Sequence, residues 1–212
     1  MPLDIQLVKD RDQERAVRRF WYEIYVEEMG RHAGQSSYVD HTERELANPW
    51  NFDADLFMAT QHGEIVGTLQ SAYVGVADCS HYIDFYRLAE QSVTRLARAS
   101  ITSKLMVSKT HRASGLAIAL GLATYRKGLS DGIEQNYIDC NSHLVRLYTR
   151  IGYREHLGWI EHPDYGRVYS MVLDLRDRAH LEAIHSPLLK TLDDFNLKQT
   201  LDSKESINDK VA

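Results

Sequence analysis

The sequence predicts a mixed α/β or α+β fold in a single domain. A length of 212 residues is enough for one domain with a sizeable core. Hydrophobic residues make up 43% of the chain and charged residues 26%, an ordinary globular composition that excludes a chain disordered throughout. Stretches with helical periodicity alternate with short apolar runs typical of strands. From the middle of the chain onward, the predicted order is strand, helix, strand, helix, strand, strand.

Helices are predicted where apolar side chains recur every three or four residues. The first such stretch places Val17, Phe20, Trp21 and Ile24 on one face, and Gly30 is a suitable end. Glycine or proline lies at or just after the end of most of the later stretches, where it stops a helix. We expect helices over residues 12–30, 41–47, 83–98, 115–132, 144–152 and 176–185.

Strands are predicted for short apolar runs bounded by polar or turn-forming residues. His62, Gly63 and Glu64 have turn chemistry between two such runs, which predicts a hairpin. A polar turn over residues 109–114 follows the third run, and a loop over residues 162–166 separates the last two. We expect strands over residues 56–61, 65–74, 101–108, 137–141, 153–160 and 168–175.

Several classes of protein are excluded by composition and spacing. A net charge of −5 argues against a nucleic-acid binder, which would be basic. Residues 1–10 lack the basic and apolar regions of a secretion signal, and the longest nearly apolar stretch, residues 116–125, is too short to span a bilayer. Two cysteines and scattered histidines offer no metal-ligand spacing, so no metal is expected. We therefore predict a cytoplasmic protein.

The junction between the third predicted strand and the next helix is a candidate anion site. Arg112 supplies a cation, and Gly115 lets the backbone approach a ligand closely. The N–H groups at the start of the following helix, with its positive end, favour a phosphate. A plain strand-to-helix turn that needs glycine for its geometry is the alternative.

Two motifs resemble those of the GNAT-superfamily acyltransferases. These proteins carry [QR]-x-x-G-x-[GA] after their fourth strand, and Arg112, Gly115 and Ala117 fit every fixed position. They also carry N-x6-Y-x3-G-[FY] across the fifth strand and the next helix. The residues at those positions here are Asn141, Tyr148, Gly152 and Tyr153. The resemblance implies a mostly antiparallel, twisted central sheet with splayed central strands, flanked by helices.

A narrower resemblance is to the acyl-homoserine-lactone synthases and the N-acyl amino acid synthases. It lies in the long first helix and in residues 51–68, while the closing residues 162–181 resemble the second of these two families. The implied organisation is one acyltransferase domain over residues 1–190, in which residues 1–50 cover the acceptor side and residues 51–190 form the sheet and the donor-binding core. Residues 191–212, in which apolar side chains become rare, are predicted to be a partly disordered tail.

The resemblance implies a mechanism in which an amine attacks an acyl thioester directly. Main-chain N–H groups of residues 106–108 would polarise the thioester carbonyl, residues 112–117 would hold the donor's phosphate, Asn141 would orient the pantetheine arm and Tyr148 would protonate the leaving sulfur. The implied donor-binding residues are Met106, Val107, Ser108, Arg112, Ala113, Ser114, Gly115, Leu116, Ala117, Asn141 and Tyr148. The donor is acyl-CoA or an acyl carrier protein, used as a co-substrate and not as a bound cofactor.

The general base is not identified by the motifs. Many GNAT enzymes place a glutamate on the fourth strand, but residues 101–109 contain no carboxylate. The candidates for the base are Glu27, Glu28, Asp53, His111, Asp139 and His143, of which Glu28 and His111 join Tyr148 and Asn141 as predicted catalytic residues. The predicted acceptor-binding residues are Tyr25, Glu27, Glu28 and Asp53. Cys140 is interpreted as a small buried hydrophobe rather than a nucleophile.

Three functions remain open on the sequence. The leading hypothesis is transfer of a medium- or long-chain fatty acyl group to the primary amine of an amino acid, or of a lysine or ornithine side chain on a peptide. The second is acetyl-CoA-dependent acetylation of a small amine or a protein. The third is a catalytically silent module that binds an acyl thioester or a partner protein. The oligomeric state is not predicted.

Overall fold

The computed structural model describes residues 3–30, 38–47, 54–77, 79–162 and 166–208. Its strands are β1 (Asp4–Leu7), β2 (Val39–Asp40), β3 (Glu45–Leu46), β4 (Ala54–Gln61), β5 (Glu64–Tyr73), β6 (Ala99–Val107), β7 (Gln135–Cys140), β8 (Arg154–His162) and β9 (Gly166–Asp174). Its α-helices are α1 (Arg11–Tyr22), α2 (Ser80–Phe85), α3 (Val93–Leu96), α4 (Leu116–Ser130), α5 (Val145–Ile151), α6 (Arg178–Ala183) and α7 (Leu189–Asn208). A π-helix, Glu23–Glu28, continues α1, and 3₁₀ turns occupy Lys109–His111 and Ser142–Leu144.

Seven of these strands form one sheet in the order β1-β4-β5-β6-β7-β9-β8. The neighbours in it are antiparallel except β6 and β7, which are parallel because α4 crosses over between them. Strands β2 and β3 form a small separate hairpin. The prediction of an α+β fold with a mostly antiparallel sheet flanked by helices is confirmed.

The two central strands part after a short contact. Residues Ala99–Ile101 of β6 pair with Gln135–Tyr137 of β7, and no pairing continues beyond them, although β6 runs on to Val107 and β7 to Cys140. The gap between these strand ends, called the opening below, is the splay that the resemblance implied. Backbone groups that face it are available to a ligand.

Helices cover both faces of the sheet. On the α4 face, Leu116 and Leu120 pack against Phe57 and Leu69 in one apolar cluster. On the opposite face, called the α1 face, fully buried Trp21 packs with Met58 and donates a hydrogen bond from Nε1 to Thr68 Oγ1 at 2.9 Å. The β4–β5 half of the sheet therefore has a helical layer on each side.

The helix predicted over residues 41–47 is wrong. This segment forms the β2–β3 hairpin, because the Asp40 carboxylate accepts hydrogen bonds from the backbone N–H groups of Thr42 and Glu43 at 2.8 and 2.9 Å. Such a local side-chain turn competes with a helix. Arg44, with φ of 55°, completes the reversal. The stop signal expected at Asn48 and Pro49 lies outside the described residues.

The single helix predicted over residues 83–98 is also wrong, because the chain there forms the two short helices α2 and α3. Between them Arg87 takes a φ of 53°, and Ser92 caps α3 by accepting from the N–H of Arg95 at 3.3 Å. Tyr86 and Leu88 are completely buried in this reversal, which explains the misleading apolar pattern.

Two elements were missed at the ends of the chain. Strand β1 pairs with β4 at the edge of the sheet, and α7 extends where a solvated tail was predicted. Leu192 on α7 is 1% exposed and Phe195 packs on the core cluster under α4 and α5. Neither α7 nor any other helix in the described ranges is long and apolar enough to cross a membrane. Residues 209–212 lie outside the description.

Replacement of Gly152 by alanine is expected to destabilise the protein by about 2–4 kcal/mol, because it overpacks the core and strains the backbone. A Cβ there would stand 2.7 Å from Leu181 Cδ2 and 3.0 Å from Leu173 Cδ1, both buried, at a φ of +139°. Gly132 is the matched control: its φ is +78°, but a Cβ meets no atom within 4 Å, so only about 1 kcal/mol is expected. Urea unfolding of both variants measures the difference, and equal losses would contradict the packing explanation.

Candidate active site

The start of α4 is built to receive an anion. The chain turns from β6 into α4 with Ala113 at a φ of 68° and Gly115 at 83°, and residues 112–115 are exposed. Gly115 is the N-cap of α4 and contributes no side-chain cap, so the first N–H groups of the helix have no protein partner from that position. These donors and the positive helix end meet the needs of a phosphate.

Arg112 is held by a carboxylate from the far end of the first helix. Its Nη2 donates to Glu28 Oε2 at 2.8 Å, its Nη1 to Glu28 Oε1, and its Nε to the Val107 carbonyl at 3.0 Å. The hydrogen bond from Arg112 lowers the pKa of Glu28. Glu28 is therefore ionised at neutral pH and weakly basic, which weakens its case as a general base. A predicted donor-binding residue and a predicted acceptor-binding residue are thus in direct contact.

His111 lies where strands β4 and β6 end. Its Nδ1 is 2.8 Å from Ser108 Oγ and its Nε2 is 2.8 Å from Gln61 Oε1. Both ring nitrogens are thereby engaged, which ties the ring to the end of β4, on the side of β6 away from β7. Its predicted catalytic role would require one of these contacts to break.

The backbone N–H groups of residues 106–108, at the end of β6, were predicted to polarise the thioester carbonyl. They point in different directions. The Ser108 N–H donates to the Val66 carbonyl at 2.9 Å and so serves the β5 side. Because successive residues of a strand alternate, the Val107 N–H faces the opening. Met106 is buried among the apolar side chains below α1. Val107 is therefore the residue of this group best placed to polarise a carbonyl in the opening.

Asn141 and Tyr148 lie at the other side of the opening. Asn141 follows β7 and lines a surface groove of about 510 Å³ together with Met29, Ser142, His143, Trp159 and Arg167. Tyr148, on α5, is 9% exposed and its ring stands edge-on to Tyr153 at 5.4 Å. Burial raises the pKa of Tyr148, so its hydroxyl stays protonated at neutral pH and can donate a proton or a hydrogen bond.

A narrow cavity of about 50 Å³, called the α4 slot below, lies between α4 and the sheet. Its lining from α4 consists of Tyr125 and four small residues at helical spacing: Ala117, Gly121, Thr124 and Gly128. Strands on both sides of the opening, and the residue after β9, line the slot with Leu69, Ser71, Ser100, Thr102, Leu105, Asn136, Leu173 and Leu175. The remaining lining residues are Tyr148, Ile151, Tyr153 and Leu188.

Polar side chains that line the α4 slot form hydrogen bonds with one another. Asn136 donates from Nδ2 to Ser100 Oγ and to Thr102 Oγ1, each at 2.8 Å, and its Oδ1 accepts from the Tyr153 hydroxyl. Both N–H donors and the carbonyl oxygen of that carboxamide are thus engaged. The slot therefore offers a ligand mainly hydrocarbon contacts.

Two neighbouring residues at the end of β7 face opposite sides of the sheet. Asp139 accepts a hydrogen bond from the Tyr86 hydroxyl on the α1 face at 2.6 Å. Cys140 is buried on the α4 face, with Sγ 4.0 Å from Met171 Sδ, and burial raises its pKa to about 12. The thiol is therefore unreactive at neutral pH, in agreement with its interpretation as a small hydrophobe.

The remaining predicted acceptor residues lie around the first helix. Tyr25 lies under the Lys104 ammonium, whose Nζ is 5.2 Å from the ring centre. Glu27 pairs with Arg44 at 2.5 Å on the surface, away from Arg112. Asp53 lies outside the described residues. Among those described, no group of three or more histidine, cysteine, aspartate or glutamate residues is placed to hold a metal ion.

No protein-family model and no curated protein sequence matches the chain. Solved structures do. BjaI, a CoA-dependent acyl-homoserine lactone synthase, aligns over 92% of this chain and 100% of its own with 14% identity and a TM-score of 0.65. FeeM, an N-acyl amino acid synthase from uncultured soil microbes, aligns over 90% and 99% with 13% identity and a TM-score of 0.62. MesI, another CoA-dependent acyl-homoserine lactone synthase, aligns over 86% and 95% with 20% identity and a TM-score of 0.62.

The chain has the GNAT fold. Within this fold the two motifs lie on opposite sides of the opening: Arg112 to Ala117 begin α4, and Asn141 to Tyr153 follow β7. The α4 slot was missed by sequence reasoning, although the spacing of small residues from Ala117 to Gly128 is a signal for it. The Arg112–Glu28 and Tyr86–Asp139 contacts were missed because their partners are distant in sequence.

Proposed function

We propose that this protein is an N-acyltransferase that moves an acyl group, of medium or long chain, from a phosphopantetheine thioester to a primary amine. The observation that carries the proposal is the α4 slot, an apolar cavity lined from both sides of the opening between β6 and β7. A thioester carbonyl held in the opening would place its acyl chain in this slot. The comparison with FeeM, an N-acyl amino acid synthase, supports the same reaction class.

The slot has the shape and surface that an acyl chain requires. From Ala117 to Gly128 its lining follows α4 for about 16 Å at the rise of an α-helix, a length that matches an extended medium or long chain. Its cavity volume of about 50 Å³ is smaller than such a chain, so binding requires leucine side chains such as Leu105 and Leu173 to rotate. Each buried methylene then contributes about 0.8 kcal/mol.

In the proposed reaction, different residues at the opening bind the phosphate, stabilise the oxyanion and donate a proton. The start of α4 and Arg112 would hold the donor's phosphate, and the Val107 N–H would stabilise the charge that develops on the thioester oxygen. The amine nitrogen forms the C–N bond as the C–S bond breaks, and the sulfur leaves with the electron pair. The proton lost by nitrogen balances the one gained by sulfur, for which the protonated Tyr148 hydroxyl is the proposed donor. Free CoA and a carrier protein present the same phosphopantetheine, so either fits.

Acetyl transfer is the second candidate, and the small empty volume of the slot favours it. Acetyl transfer and long-chain transfer are distinguished by measuring turnover of the purified full chain with a pool of amines. The acyl donors are acetyl-, octanoyl- and palmitoyl-CoA and octanoyl-loaded carrier protein. Turnover restricted to the longer acyl groups is the expected result. Turnover with acetyl-CoA alone would overturn the long-chain proposal, and release of CoA without an N-acylated product would overturn amide formation.

A further inference from the structure

The α1 face of the sheet carries a polar group beside the opening, just beyond the point where β6 and β7 part. Asp139 is two residues beyond Tyr137, the last residue of β7 that pairs with β6, so both side chains lie on the same face. The Tyr86 hydroxyl confirms this placement, since Tyr86 packs on Tyr137 and Ile101 and donates to Asp139 Oδ1. Asp139 therefore stands beside the opening, across the sheet from the α4 slot.

The Asp139 carboxylate is fixed on one side and available on the other. Tyr86 is completely buried, and its backbone carbonyl is held by His156 Nε2 at 2.8 Å, so its hydroxyl is a rigid support for Oδ1. Asp139 itself is partly exposed and accepts no second side-chain hydrogen bond from the described residues. A donor can therefore reach the carboxylate from the α1 side.

Ser170 provides a second vacant acceptor next to it. Asp139 and Ser170 are direct cross-strand partners on β7 and β9, so their side chains lie side by side on one face. Ser170 is 0% exposed, and its Oγ has no hydrogen-bond partner among the residues that the structure describes. A buried hydroxyl without a partner is unfavourable for stability, which marks a group kept for contact with something else.

We propose that Asp139 and Ser170 form the subsite for the acceptor amine, with Tyr86 positioning the carboxylate. The group it takes is a primary ammonium, whose three N–H donors match a carboxylate oxygen and a hydroxyl oxygen and whose charge offsets that of Asp139. Transfer of one ammonium proton to solvent water at the exposed side of Asp139 gives the neutral amine, whose nitrogen then lies beside the opening, where the thioester carbonyl would lie. This subsite rests on the proposed function, because it assumes that the acyl donor binds in the opening.

The test measures the amine and the donor separately, using the full chain, octanoyl-CoA and the amines glycine, lysine, ornithine and putrescine. Asp139→Asn is expected to raise the KM for the amine by at least about tenfold with the KM for octanoyl-CoA unchanged. Ser170→Ala is expected to raise the amine KM less, while its melting temperature stays equal or increases, because a buried unpaired hydroxyl is removed. Asp84→Asn, an exposed change of equal charge on α2, is the control. An amine KM in Asp139→Asn within twofold of the parent would overturn the subsite, as would a parallel rise in the donor KM.

Calorimetric titration of the same amines in the presence of CoA distinguishes failure of the amine subsite from failure of the proposed function. If no donor is turned over, the proposed function fails, and amine binding that is lost in Asp139→Asn would still support the subsite. Amine binding that is unchanged in that variant, or absent in the parent protein, would refute the subsite whatever the turnover.

Discussion

Replacement of Gly121 by leucine is expected to reduce turnover with octanoyl- and palmitoyl-CoA by about a hundredfold while turnover with acetyl-CoA is retained. Gly121 lines the α4 slot, and a Cβ added there meets no atom within 4 Å. The new side chain would therefore enter the slot without a backbone clash and exclude several methylenes of the acyl chain. Three or four excluded methylenes at about 0.8 kcal/mol each correspond to about a hundredfold.

The same substitution helps to separate blockage from damage to the fold. Leucine is a better helix former than glycine by roughly 1 kcal/mol, so Gly121→Leu should unfold at the same urea concentration as the parent or a higher one. Arg126→Leu, on the exposed side of α4, adds leucine to the same helix outside the slot and is expected to leave the chain-length profile unchanged. Unaltered turnover of palmitoyl-CoA by Gly121→Leu would place the acyl chain elsewhere.

Removing the positive charge and removing the negative charge of the Arg112–Glu28 pair are expected to change the affinity for CoA in opposite directions. Arg112→Ala should weaken CoA binding by about a hundredfold, because it removes a charged donor from the proposed phosphate site and leaves the Glu28 carboxylate unpaired beside it. Glu28→Gln should tighten CoA binding several-fold, because it removes a competing anion and releases the guanidinium. Isothermal titration with CoA measures both dissociation constants.

The sign of the Glu28→Gln effect distinguishes two roles for Arg112. If the arginine binds phosphate, the two variants diverge, and added salt weakens binding to the parent protein more than binding to Arg112→Ala. If the arginine only ties the first helix to the end of β6, both variants lose the same contact and CoA binding weakens in both. Arg44, which pairs with Glu27 away from α4, supplies the control variant Arg44→Ala.

Elements with regular apolar periodicity and clear end signals were predictable from the sequence. The β4–β5 hairpin, β6, α4 and α5 fall close to their expected positions, because local turn chemistry and buried-face spacing agree there. Failures occurred where one side chain redirects the backbone. Asp40 turned an expected helix into a hairpin, and the buried Tyr86 belongs to a chain reversal rather than a helix face.

The candidate site could be predicted only as far as its motifs extend. Arg112, Gly115, Asn141 and Tyr148 are ordered by local spacing, and the fold brings them to the two sides of the opening. The Glu28–Arg112 contact joins residues 84 positions apart, and Ser170 meets Asp139 only through the sheet order. Such long-range contacts are set by tertiary packing, which a single sequence does not display.

The short pairing of β6 with β7 leaves a sheet edge in the interior of the protein. Beyond Ile101 and Tyr137, the backbone donors and acceptors of β6 and β7 that face the gap no longer pair with each other. An extended ligand with amide groups, such as a pantetheine arm, can supply the missing ladder bonds and act as a substitute strand. Substrate binding and sheet completion would then be one event, so the folded state would gain stability with donor concentration. The two halves of the sheet would be joined most firmly when the protein is loaded for reaction.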